Sequence, residues 1–279
     1  MRSAGTGPTV VFAHGWTESS TIWDAVATEL ASAGYHVVVY DQRGHGRSTV
    51  GSDGFGIERL GEDLREVLVA IDASDAVLVG HSMGGMTVMA LMGYHPDVVR
   101  ERTRGSVLVS TAAGGLSRQG RLDEIAAHVV GSELASRAFA GPLGPRLARR
   151  SLGRRADLVH ASSTAALFAA TAASTRRGCY TAMSTMDLRS GLGRVQHPVA
   201  VVVGARDHLT PPRFAQEIAR LIPGSELVVV PDAGHQLPFE APKRLVSIIR
   251  SVAAPGDVVD VREAPASLGG PDAEPLVPR

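Results

Sequence analysis

The sequence has a single cysteine in 279 residues, Cys179. No intramolecular disulfide can form, and no multi-cysteine metal cluster can assemble. Cys179 reads as a small buried residue rather than a nucleophile. Net charge is missing too, because 28 Lys+Arg balance 28 Asp+Glu. Nucleic-acid binders carry a basic excess, so this balance argues against a nucleic-acid partner. Long apolar runs are absent. No stretch approaches the roughly 18 consecutive apolar residues of a transmembrane segment. The N-terminal run Thr9–Ala13 is shorter than the roughly 7–15 residues at the core of a secretory signal. The expectation is a cytoplasmic protein. No His/Asp/Glu cluster has metal-ligand spacing, no cofactor is called for, and there are no internal repeats.

What is present is ample core material, with 44% hydrophobic residues. Short β-branched runs recur at Thr9–Ala13, His36–Tyr40, Ala76–Gly80, Ser106–Ser110, Val199–Val203 and Glu226–Val230. Unbroken apolar runs suit strands buried on both faces of a parallel sheet. Helical spacing separates several of them, most clearly at Leu60, Leu64, Val67, Leu68 and Ile71, and again over Phe214–Leu221. This β-α order predicts a doubly wound, mostly parallel α/β fold.

The rhythm breaks between Ala112 and Val195. That segment holds no convincing strand and carries twelve Arg against five acids. It reads as a helical cap, 112–195, inserted between the fourth and fifth recognisable strands of a core formed by 1–111 and 196–252. Its arginines suit either a solvated helical surface or a preference for anionic or amphipathic ligands. From 253 to 279, Pro, Gly and scattered acids predict a disordered tail.

The chemistry centres on Gly80-His81-Ser82-Met83-Gly84, placed between a strand and a helical run that stops at Pro96. Flanking glycines permit a turn so tight that the serine hydroxyl is thrust above the sheet edge. The helix N-terminus then offers unpaired N–H groups to a developing oxyanion. A nucleophilic serine needs a base, and the base needs a carboxylate to orient it. Asp207 and His235 follow the strands Val199–Val203 and Glu226–Val230, so they reach the same sheet edge as Ser82 in the order serine, acid, histidine. Asp232 is too near His235 in sequence to orient it, and His197 precedes its strand. The amides of Met83 and Trp16 are the expected oxyanion donors, Gly15 permitting the turn before Trp16. Gly15, Trp16, His81 and Phe239 are the expected substrate-binding residues, although Trp16 and Phe239 also suit simple packing. Met83, Met86, Met89 and Met92 form a stripe that reads as core. Gly44-His45-Gly46 reads as a tight loop rather than a nucleotide fingerprint.

Taken together, these landmarks resemble the α/β-hydrolase superfamily from Val10 to about Ile249. They are His14-Gly15-Trp16, Asp41-Gln42-Arg43-Gly44-His45-Gly46-Arg47-Ser48, Gly80–Gly85, Gly204–Asp207 and Gly234-His235. The first third most resembles the cofactor-free haloperoxidase/esterase branch. The resemblance implies the α/β-hydrolase fold and a serine hydrolase that cleaves small-molecule acyl esters, with peroxide-dependent chemistry on the side. The usual first two strands are expected to be missing. Thioesterase, lactonase and carbon–carbon bond hydrolase activities keep the same triad and stay open, as does a ligand receptor on the same scaffold. Ser82 argues against the epoxide hydrolases and haloalkane dehalogenases, which place an Asp there.

Overall fold

The computed structural model describes residues 1–117, 121–154 and 156–254. Seven strands run β1 (Arg2–Ala4), β2 (Thr9–Ala13), β3 (His36–Val39), β4 (Ala76–His81), β5 (Thr103–Val109), β6 (Val199–Gly204) and β7 (Glu226–Val230). Across the sheet their order is β1-β3-β2-β4-β5-β6-β7. All neighbours are parallel except β1, which pairs antiparallel with β3 through Arg2↔Val39 and Ala4↔Val37. A strand therefore precedes the oxyanion-loop strand, where none was expected. Its three residues are all exposed, so it carries no burial signal a sequence could display.

Why the central strands are apolar throughout is visible in the packing. Along β2, Val11 and Ala13 enter one core layer while Val10 and Phe12 enter the other; along β4, Leu78 and Val79 divide likewise. Successive side chains point to opposite faces, and both faces are covered. On one side lie α1 (Asp24–Ser32) and, from the far end of the chain, a C-terminal helix ending at Ala253. On the other lie α2 (Ile57–Ala70) and α3 (Met83–Tyr94), where Leu60, Leu64 and Leu68 meet the methionines of α3. All four of those methionines are core residues. A short α4 (Pro96–Arg102) leads into β5.

Between β5 and β6 the chain forms six α-helices among the described residues. They are α5 (Arg121–Val130), α6 (Glu133–Ala140), α7 (Gly144–Ala148), α8 (Leu158–Ala170), α9 (Ala173–Thr185) and α10 (Arg189–Leu192). Arg176 of α9 is wholly buried and ties this insertion together. Its guanidinium donates to the carbonyls of Val130 (2.6 Å), Ser132 (2.9 Å), Phe168 (3.3 Å) and Thr171 and to the Ser136 hydroxyl (2.7 Å). The Val130 carbonyl is that of the last residue of α5, one of the helix-end acceptors that an α-helix leaves without an internal partner. The chain closes with α11 (Pro212–Leu221), α12 (Leu237–Glu240) and α13 (Pro242–Ala253). The expected tail lies outside the described residues beyond Ala254. No described helix is long and apolar enough to cross a membrane.

Candidate active site

Ser82 follows β4 and precedes α3 with φ 52° and ψ −115°. A residue with a side chain held there stores on the order of 1–3 kcal/mol of strain. Neighbouring bonds hold it. Ser82 N–H donates to the Val109 carbonyl (2.9 Å), and the Ser82 carbonyl accepts from Gly85 N–H (2.9 Å) and the Thr111 hydroxyl (2.7 Å). Gly84 permits the close crossing, because a methyl group there would overlap the Ala13 carbonyl oxygen of β2.

Asp207 and His235 come from the loops after β6 and β7, and the structure brings them into direct contact. His235 Nδ1–H donates to Asp207 Oδ2 at 2.9 Å. Asp207 is otherwise saturated: Oδ1 accepts from the amides of Leu209 and Thr210, both at 2.9 Å, and Oδ2 accepts from the Thr210 hydroxyl at 2.9 Å. Burial alone would raise its pKa. The attraction and hydrogen bond of His235, with the Thr210 donors, outweigh that and hold the carboxyl below its ordinary value. The histidine loop is fixed in turn. His235 N–H donates to the Ser151 carbonyl (2.8 Å), while the buried Glu240 carboxylate accepts from the amides of Gly234 (2.9 Å), Gln236 (3.2 Å) and Gly153 (2.8 Å). Ser151 and Gly153 belong to the insertion, so core and insertion share one hydrogen-bond network at the base.

The loop after β2 is built around two neutral histidines. His14 accepts Gln42 N–H at Nε2 (2.9 Å) and donates from Nδ1 to the Gly15 carbonyl (2.7 Å). His45 accepts Thr17 N–H at Nε2 (3.1 Å) and donates from Nδ1 to the Arg43 carbonyl (2.9 Å). Burial holds His14 below its ordinary pKa and brings His45 down to about 4. Among the described residues, the amides of Trp16 and Met83 donate to no protein acceptor. The Trp16 indole N–H donates to the Arg176 carbonyl (3.1 Å), and its ring lies 5.9 Å from both Phe168 and Tyr180.

Beneath this loop lies a buried ion pair. Glu18 Oε2 accepts from Gly15 N–H (2.5 Å) and from His81 Nδ1–H (3.0 Å), while Oε1 accepts from the Gln236 side-chain amide (3.0 Å). The other nitrogen of His81 faces the His235 carbonyl at 2.9 Å. A carboxylate and a carbonyl can only accept, so His81 must carry both protons and be an imidazolium. Burial alone would lower its pKa, but the attraction and hydrogen bond of Glu18 outweigh that and raise it. One pair thus links the loops that carry Gly15, Ser82 and His235.

Ser82, Trp16 and His235 line a common cavity of about 610 Å³ beyond the carboxyl ends of the strands. Glu18 and Thr210 contribute to its base, and Phe139, Phe168, Tyr180 and Met183 of the insertion form an apolar roof. Three expected substrate contacts are not on the wall. Gly15 sits behind it against Glu18, where an added methyl group would lie 2.6 Å from Oε2. His81 is fully buried as the partner of Glu18. Phe239, in α12, stacks on His160 at 5.5 Å. The Met83 side chain belongs to the core, leaving only its amide to face chemistry. Glu18, Thr210, Glu240 and the roof aromatics lie outside the motifs legible in the sequence; an acid at position 18, five residues past the end of β2, is the one sequence signal for any of them.

A hydroxyl on a strained elbow, an imidazole oriented by a carboxylate, and two free amides define a hydrolase-type site. Residues 10–248 match the alpha/beta hydrolase family model, and the chain belongs to that family. It is 29% identical over 241 residues to a non-heme chloroperoxidase of Kitasatospora aureofaciens, spanning 83% of this chain and 86% of the relative. It is 26% identical over 257 residues to a bifunctional esterase/perhydrolase of Acinetobacter calcoaceticus, spanning 88% and 92%. Among solved structures it is similar to a thermophilic esterase from Thermogutta terrifontis (malate bound), with TM-score 0.76, 27% identity and coverage of 91% and 93%. These relatives support a hydrolase.

Proposed function

We propose that the protein is a serine esterase that works through an acyl-enzyme intermediate. The observation that carries this reading is the 2.9 Å bond from His235 to a saturated Asp207, in a cavity that Ser82 also lines. His235 accepts the Ser82 proton as the oxygen attacks the acyl carbonyl, and Asp207 fixes the ring and stabilises the imidazolium. The Trp16 and Met83 amides receive the negative oxygen, and the alcohol leaves with the proton from His235. Water then attacks the acyl-enzyme while His235 takes its proton; Ser82 is reprotonated as the acid departs. In this reading residues 112–195 act as a cap whose aromatics receive the apolar part of the substrate.

Turnover of short p-nitrophenyl esters tests the proposal. Wild type is expected to release p-nitrophenol and to label with a fluorophosphonate, and Ser82→Ala to do neither while keeping its circular dichroism. Equal rates for the two proteins overturn it.

A further inference from the structure

The cavity has a marked polarity. Its roof is apolar and aromatic, with Phe168 and Tyr180 in ring contact with Trp16 of the loop below. Its charged lining consists of Glu18, Arg150 and Arg213 beside the histidines. Glu18 is the only acid on the wall among the described residues, and it is already matched by His81 at 3.0 Å. The two arginines have no such match. Both are exposed, and among the described residues neither guanidinium has an acidic partner. The Arg213 guanidinium carbon lies over the Phe214 ring, 4.7 Å from its centroid, and both residues line the cavity wall.

Both arginines are placed by the elements that build the base. Arg150 immediately precedes Ser151, whose carbonyl receives His235 N–H at 2.8 Å. Arg213 sits in the first turn of α11, three residues after Thr210, whose amide and hydroxyl hold Asp207. Two planar cations therefore share the wall of the chamber that His235 also lines. A neutral alkyl ester leaves both in water. An ester that carries a carboxylate beyond the scissile bond offers the guanidiniums two charged oxygens to share.

We propose that Arg150 and Arg213 form an anion subsite and that the preferred substrates are esters bearing a remote carboxylate. This rests on the esterase reading above and deepens it. Neither arginine touches the reacting atoms, so the subsite selects substrate without altering the chemical step.

Three esters of similar reach test it: mono-p-nitrophenyl glutarate, p-nitrophenyl pentanoate and p-nitrophenyl 4-(trimethylammonio)butanoate. Each kcat/KM is normalised to that ester's hydroxide-catalysed hydrolysis. The glutarate is expected to exceed the pentanoate several-fold and the cationic ester by about tenfold, the range that two solvent-exposed pairs supply. The advantage should shrink in high salt, which screens exposed charges. Arg150→Gln/Arg213→Gln should erase the ranking, bringing the glutarate rate down to that of the pentanoate in the same variant. A glutarate rate no better than the pentanoate rate, or an advantage that survives both substitutions, overturns the subsite. Failure of wild type on all three esters overturns the esterase reading instead.

Discussion

Replacing Glu18 with alanine removes the acceptor shared by Gly15, His81 and Gln236 and strands a buried imidazolium. Burial on its own pushes the Glu18 pKa up, yet His81, with His14 and Gln236, brings it from 4.5 down to about 2. At about 1.36 kcal/mol for each tenfold step in proton affinity, that drop corresponds to about 3 kcal/mol. Breaking a buried pair from one side costs about 3–5 kcal/mol, so the two routes agree. At roughly 2–4 °C per kcal/mol for a domain of this size, the melting temperature should fall by roughly 6–12 °C. The effect has a pH signature. A carboxylate with a depressed folded pKa stabilises fully above its ordinary 4.5 and loses that contribution as pH falls toward about 2. His81, with its raised folded pKa, stabilises fully below its ordinary 6.5 and loses that contribution as pH rises through the folded value. The gap between wild type and variant should therefore be widest between these two ordinary values. Calorimetric melts of both proteins across this range measure it. A loss below about 1 kcal/mol, or a gap that ignores pH, refutes the description of Glu18–His81 as a desolvated ion pair.

Other outcomes follow from single contacts. Asp207→Asn should lower kcat on the order of 10³–10⁴-fold with little change in KM, because the ring loses its orienting charge; steady-state ester kinetics check it. Gly84→Ala should give no soluble folded protein, since the added methyl meets the Ala13 carbonyl rather than a yielding side chain; its expression can be compared with that of Ser82→Ala. Burial raises the Cys179 thiol to about 12, so Ellman's reagent should react slowly with the native protein and fully in denaturant. Burial also holds His45 down at about 4. Stability should therefore decline as pH falls from about 6.5 toward about 4, and His45→Gln should flatten that decline in chemical denaturation.

The sheet could be read in advance because strands buried on both faces need uninterrupted β-branched runs, and these stand out. The same holds for the elbow, where two glycines and a serine between strand and helix have few other uses. The missed features share a different cause. The antiparallel edge strand Arg2–Ala4 is exposed at every residue, so nothing in its composition marks it. The side-chain partners of Glu18 are 63 and 218 residues away, and most of those of Arg176 are carbonyls, which no residue type announces. The expectation that His81 contacts substrate fails on the geometry of the elbow. In a turn this tight, adjacent side chains diverge, and His81 goes under the loops while Ser82 goes into the cavity.

The bond from the Trp16 indole to the Arg176 carbonyl has a bearing on engineering. Arg176 also anchors the ends of the neighbouring helices, so the residue that braces the roof is the one that steadies the loop below. A transplanted roof from a relative would need to supply its own acceptor for that indole. Grafts chosen only for the shape of the chamber should fold and yet turn over poorly.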